Sequence, residues 1–135
     1  GVVMRQGYLA EEDTVGVRVR ITSASATLTV KAGSGIARTE VDLPISAEQA
    51  AALWPHTEGR RIVKTRYRVP LGDSLGLVAE VDEYAEALAG LWVVEVEFRS
   101  ETEAAAFIPP AWFGEELTGK LGWSNAGLAR NGRPD

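Results

Sequence analysis

Much of this chain alternates in steps of two. Val17, Val19 and Ile21 interleave with Arg18 and Arg20, Val41 and Leu43 with Glu40 and Asp42, and Val94, Val96 and Phe98 with Glu95 and Glu97. Successive side chains of a strand point to opposite faces, so each run predicts a strand with one apolar and one charged face. Runs of this kind predict strands over 2–9, 15–22, 26–32, 36–45, 60–69, 75–84 and 91–99, with turns at 11–14, 33–35 and 70–73. Two helix starts interrupt them. Ser46 with Gln49 three residues on forms a capping box for EQAAALW, which should stop before Pro55. Ser100 with Glu103 does the same for ETEAAAF, ended by Pro109 and Pro110. The tail carries Trp112, Phe113 and Trp123, which predicts burial, and its last five residues should fray. Many strands in series with only short helices, and no βαβ rhythm, predict a mainly β (α+β) fold built on an antiparallel sheet, barrel or sandwich.

Composition narrows this further. The chain has 135 residues, so one domain spanning 1–135 is expected, and 45% apolar content is enough for a core. The net charge of −5 implies no general nucleic-acid footprint. Cysteine is absent, which excludes disulfides and thiolate chemistry. His56 is the single histidine and follows Trp54-Pro55, so it reads as structural. No run of 18 apolar residues occurs, and the start has no signal-peptide layout; a location in the cytoplasm, with no membrane partner, is the expectation. KAGSG at 31–35 lacks the P-loop spacing and reads as a turn between hairpin strands.

The charges themselves are sorted. Arg18 with Arg20 and Lys64 with Arg66 are basic doublets at i, i+2, whereas Glu40 with Asp42, Glu80 with Asp82 and Glu95 with Glu97 are acidic ones. Each doublet puts two like charges on one strand face. Such an arrangement repels itself unless opposite charge lies nearby. One doublet alone is most simply a solvated face. Five doublets sorted by sign suggest that basic strands hold a polyanion and acidic strands hold divalent cations, in a site for a metal–phosphate complex.

An ordered set of segments then carries a family resemblance: QGYL, VRVRI, LTVKAG, RTEVDLPI, KTRY, EVDEY, LAGL, EVEF and the tail PPAWFGEELTGKLGWSN. In this order they resemble the CYTH superfamily, or triphosphate tunnel metalloenzymes, over nearly the whole chain. The resemblance implies an antiparallel β-barrel enclosing a charged tunnel, and Mg²⁺- or Mn²⁺-dependent hydrolysis of a triphosphate or polyphosphate small molecule, most simply inorganic triphosphate. It implies that Arg18, Arg20, Lys31, Arg38, Lys64 and Arg66 bind phosphate. It assigns Asp82, Glu95 and Glu97 to the metal and Glu40, Asp42 and Glu80 to catalysis. Arginine grips phosphate oxygens in pairs, and Mg²⁺ is held by a few carboxylates together with substrate phosphates.

The resemblance also implies an N-terminal E-x-E-x-K strand, and upstream of QGYL this sequence has only GVVMR. The expectations that follow are a barrel with its first strand missing, an unpaired edge through which copies of the chain could associate, and little or no triphosphatase activity of these residues without that strand. Two rival readings stand beside hydrolysis. One is a non-catalytic module that binds polyphosphate or a nucleotide. The other is a plain β-barrel with solvated charges.

Overall fold

The computed structural model describes residues 1–33, 38–72, 75–120 and 122–134. Seven strands form one antiparallel sheet: β1 (Val2–Glu11), β2 (Val15–Ile21), β3 (Ala26–Ala32), β4 (Thr39–Ile45), β5 (Arg61–Pro70), β6 (Val78–Tyr84) and β7 (Trp92–Val96). Their order is β4-β3-β2-β1-β5-β6-β7. The mainly antiparallel sheet with a few short helices is the architecture the alternation predicted. Among the described residues β4 and β7 do not pair with each other, so the sheet is not a closed barrel. Ser34 and Gly35 of the KAGSG turn, the predicted strand start at Ile36 and the end of the turn at Asp73 lie outside the described residues.

Helix α1 (Ala47–Leu53) starts at Ser46 with the complete reciprocal capping box: Ser46 Oγ accepts from the Gln49 amide, and Gln49 returns a bond to the Ser46 amide. It passes through Trp54 into a 3-10 turn, Trp54–Thr57, that contains Pro55. His56 sits exposed in this turn, where its carbonyl accepts a bond from Arg60. Trp54 lies between two guanidinium groups, Arg5 at 4.5 Å and Arg61 at 4.7 Å from its ring. The turn can sit against β1 only because residue 7 is glycine: a Cβ there would lie 2.6 Å from Thr57 Cβ. Helix α2 (Glu101–Ala106) begins at Ser100, whose Oγ accepts from the Glu103 amide, but the predicted box is only half made, since the Glu103 carboxylate accepts from the Arg99 amide instead.

The two faces of the sheet have separate cores. Val19, Ala26 and Ala50 pack with Ile21, Leu28, Ile45 and Leu53, so α1 covers the apolar face of β2 and β3. On the opposite face Ile62, Tyr84, Leu88, Leu91 and Leu128 form a second cluster with Trp123. Leu128 belongs to α3 (Asn125–Asn131), a helix the sequence did not predict; Ser124 caps it, but Gly127 stands where a capping box needs Glu or Gln. Two expectations for the tail need correction. Trp112 remains 52% exposed, because its ring meets Phe113 at the surface and does not enter a core. The end is not simply frayed, since the Arg133 guanidinium lies 6.0 Å from the Trp123 ring. No helix among the described residues is long and apolar enough to cross a membrane.

Candidate active site

Cross-strand register assembles the site. On the face opposite α1, Arg18 stands between Tyr8 and Thr29, Arg20 between Gln6 and Thr27, and Thr29 opposite Asp42. Lys31 faces Glu40. On the other half of the sheet Arg66 faces Asp82, Arg68 faces Glu80, and Glu80 faces Glu95. A cavity of about 460 Å³ is lined by Arg18, Arg20, Thr27, Thr29, Lys31, Glu40, Asp42, Arg66, Glu80, Glu95, Glu97 and Asn125. Residues of β4 and β7, the two edges of the sheet, line the same cavity. The sheet must therefore curl enough to bring its edges towards each other.

Nine of the twelve charged residues singled out in the sequence line this cavity. Two of the others lie beneath it. Lys64 and Asp82 are buried, 0% and 1% exposed, with Lys64 Nζ 2.7 Å from Asp82 Oδ2. Arg38 is exposed ahead of β4 and is not among the lining residues. Asp82 is not placed as a metal ligand: Lys64 takes Oδ2, and Arg66 bonds both oxygens through Nε at 2.8 Å and a terminal nitrogen at 2.9 Å. Burial pushes Asp82 up, but Arg66 and Lys64 outweigh it and hold the carboxyl below its ordinary value. Lys64 is the weaker member of the pair. Burial pulls it from 10.5 to about 8, against the attraction of Asp82 and with added repulsion from Arg66 and Arg20.

The sequence therefore overstated the repulsion. Part of it is relieved within the sheet, by Arg66 and Lys64 on Asp82, by Arg66 and Arg68 on Glu80, and by Lys31 on Glu40 at 3.5 Å. Two doublets are not relieved. Arg18 and Arg20 make no ion pair among the described residues: Arg20 Nε donates to Gln6 at 2.8 Å, and Arg18 donates to Thr29 at 3.4 Å. Arg18 Nε is buried without a partner, as is Gln6 Nε2. Glu95 and Glu97 likewise have neither ion pair nor hydrogen bond among the described residues, and Glu95 faces Glu80 across the ladder. Unpaired cations and unpaired carboxylates thus share one hollow.

Whether a divalent cation fits depends on these donors. Among the described residues no three acidic or histidine side chains gather as a ready metal cluster. Glu95 and Glu97 are two open carboxylates on one face, which suits Mg²⁺ or Mn²⁺ bound by one or two carboxylates plus substrate oxygens. These two fit the ion, and Asp82 does not.

Several site residues were missed in the sequence. Thr27 and Thr29 share the parity of Lys31 on β3, so period two could have found them. Thr29 Oγ1 donates to Asp42 Oδ1 at 2.6 Å, which fixes that carboxylate and leaves its other oxygen to the cavity. Asn125 ends the tail segment that carries the resemblance, but neither charge nor periodicity marked it for the site, because only the docking of α3 brings it there. A second hollow of about 590 Å³ lies beside α1; it is lined by small side chains and Trp54, with Arg5 as its one charged lining residue. It gathers no comparable chemistry.

Comparison with known proteins agrees with this geometry. The chain matches no family model. It is 45% identical over 129 residues to an inorganic triphosphatase of Nitrosomonas europaea, an alignment covering 95% of this chain and 84% of that protein. It is 34% identical over 133 residues to an inorganic triphosphatase of Acetivibrio thermocellus, covering 97% and 82%. Among solved structures, the crystal structure of the inorganic triphosphatase NE1496 superposes with a TM-score of 0.73 at 44% identity, over 96% of this chain and 85% of that one. A putative adenylate cyclase from Bacillus halodurans shares the fold alone, with a TM-score of 0.54 at 14% identity over 89% and 82% of the two chains. Identity this high over nearly the whole length, with the same sheet beneath it, means that the chain belongs to the inorganic triphosphatase family.

Proposed function

We propose that this protein, as a CYTH-superfamily member acting in the cytoplasm, hydrolyses inorganic triphosphate to orthophosphate and pyrophosphate with Mg²⁺ or Mn²⁺. The observation that carries this reading is the pair of unrelieved doublets, Arg18 with Arg20 and Glu95 with Glu97, across one cavity. The lining holds four cations and five carboxylates, so by itself it does not favour a polyanion. A divalent cation held by Glu95 and Glu97 would change that sign, and when bound it neutralises phosphoryl oxygens and polarises the phosphorus they surround.

The chain's own residues do the rest. Arg18 and Arg20 present guanidinium donors to phosphate oxygens, and Gln6 fixes the orientation of Arg20. Arg66, locked onto Asp82, offers a cation that cannot swing away. Asp42, held at one oxygen by Thr29, can orient an attacking water with the other. Glu40 and Glu80 are partly spent on Lys31, Arg66 and Arg68, which leaves Asp42 the better placed of the three acceptors.

The test is phosphate release from inorganic triphosphate, with Mg²⁺, with Mn²⁺ and with chelator, by purified protein that carries the N-terminal E-x-E-x-K strand implied by the resemblance. Turnover that the chelator abolishes is the expected result. Tight triphosphate binding with no phosphate released would instead identify a polyphosphate-binding module.

A further inference from the structure

Asn125 reaches the cavity from an element that no charged motif announced. It is the first residue of α3, whose Leu128 is seated in the inner core with Ile62 and Tyr84. Tyr84 Oη donates to Asn125 Oδ1 at 2.5 Å. Burial, reinforced by the charge of Asp82, raises the pKa of Tyr84, so the phenol keeps its proton and remains the donor. A carboxamide whose oxygen is engaged turns its Nδ2, with two N–H groups, to the other side. Among the described residues Nδ2 has no partner. The other donors lining the cavity are guanidinium, ammonium or hydroxyl groups, and Asn125 is the one amide.

We propose that Asn125 is a substrate-contact residue whose Nδ2 donates to a phosphoryl oxygen of the bound triphosphate, with Tyr84 as the positioning residue that aims it. This rests on reading the cavity as a triphosphate site. A neutral donor adds direction without adding charge, so its contribution resists salt where those of the arginines do not. It also ties α3 to the ligand. Occupancy of the cavity strengthens the seat of α3, and the seat of α3 strengthens binding.

The experiment is calorimetric titration of inorganic triphosphate with Mg²⁺ present, on the wild type, Asn125→Ala, Asn125→Asp and Tyr84→Phe, alongside phosphate release. Asn125→Ala is expected to bind roughly ten-fold more weakly, the size of one hydrogen bond to a charged group. That loss should be the same at low and high ionic strength. Asn125→Asp should bind more weakly still, because it can keep the Tyr84 bond but presents a negative charge. An acid in the first turn favours a helix, so unfolding of α3 cannot explain that result. Tyr84→Phe should fall between wild type and Asn125→Ala. Wild-type affinity in Asn125→Asp, or a loss in Asn125→Ala that fades with salt, overturns the contact. Failure of the wild type to bind triphosphate sinks the reading of the cavity, and the contact with it. Binding without phosphate release, in protein that carries the N-terminal strand, sinks hydrolysis alone, and the affinities still decide the contact.

Discussion

Arg66 holds Asp82 with two parallel hydrogen bonds, Nε to Oδ1 at 2.8 Å and a terminal nitrogen to Oδ2 at 2.9 Å. By resemblance the arginine belonged to the phosphate and the aspartate to the metal. In the structure they bond each other, with Arg66 still lining the cavity. With Lys64 on the same carboxylate, they form a buried floor under the cavity. The charges wholly free for ligands are those the ladder cannot satisfy, Arg18 with Arg20 and Glu95 with Glu97.

Triphosphate and the divalent cation should therefore bind cooperatively. Each relieves a like-charge doublet that the other cannot, and the coupling is reciprocal. Calorimetric titration of triphosphate with and without Mg²⁺ measures it. Equal affinities in the two conditions would count against a shared site.

In protein that carries the N-terminal strand, Arg18→Ala and Glu97→Ala should fail in different ways. Losing Arg18 removes a donor to phosphate and should cost about 2–4 kcal/mol of transition-state stabilisation. Losing Glu97 should raise the metal concentration needed for half-maximal rate. Excess Mn²⁺ should restore the Glu97 variant and not the Arg18 variant. Identical metal profiles for the two would refute the division of roles.

Asp82→Asn should act on stability before activity. It leaves Lys64 and Arg66 facing each other in a buried place with no full negative charge between them. Breaking a buried pair from one side costs about 3–5 kcal/mol. Urea unfolding reads the loss directly, and an unchanged midpoint would show that the floor is not structural.

The same pair sets two limbs of the pH–stability profile. Asp82 is held below its ordinary 3.8, so its contribution is present above that pH and is lost as pH falls through the lower folded value. Lys64 is lowered from 10.5 to about 8, so between those values the unfolded chain binds more protons and this group's contribution to stability rises with pH. Comparing urea midpoints of the wild type and Lys64→Met from pH 3 to 10 isolates the lysine from the tyrosines. A difference between them that stays flat across the alkaline range would rule Lys64 out as the source.

Gly7→Ala should destabilise the chain without touching the site charges. The new methyl would meet Thr57 Oγ1 at 2.5 Å, and Thr57 is pinned by a bond to the Trp54 carbonyl and another from Arg61. Overpacking of this kind costs about 1–3 kcal/mol. A thermal midpoint equal to wild type would mean that the 3-10 turn moves aside freely.

Period-two alternation was enough to place the strands, their antiparallel pairing and the parity of their charges, because side-chain direction in a strand is a local property. Arg18 and Arg20 had to face away from Val17 and Val19, whatever the rest of the chain did. The capped starts of α1 and α2 were legible for the same reason, since Ser46 and Ser100 bond to amides three residues away. Tertiary structure decided which charges remain free. Arg66 lies 16 residues from Asp82, and only the register of β5 against β6 makes them partners. Register likewise buried Lys64 under the cavity and left Glu95 facing Glu80. Asn125 stood in the tail segment that carries the resemblance, but its place in the site was not legible: it is 41 residues from Tyr84, and no local pattern encodes a contact made only after α3 docks on the core.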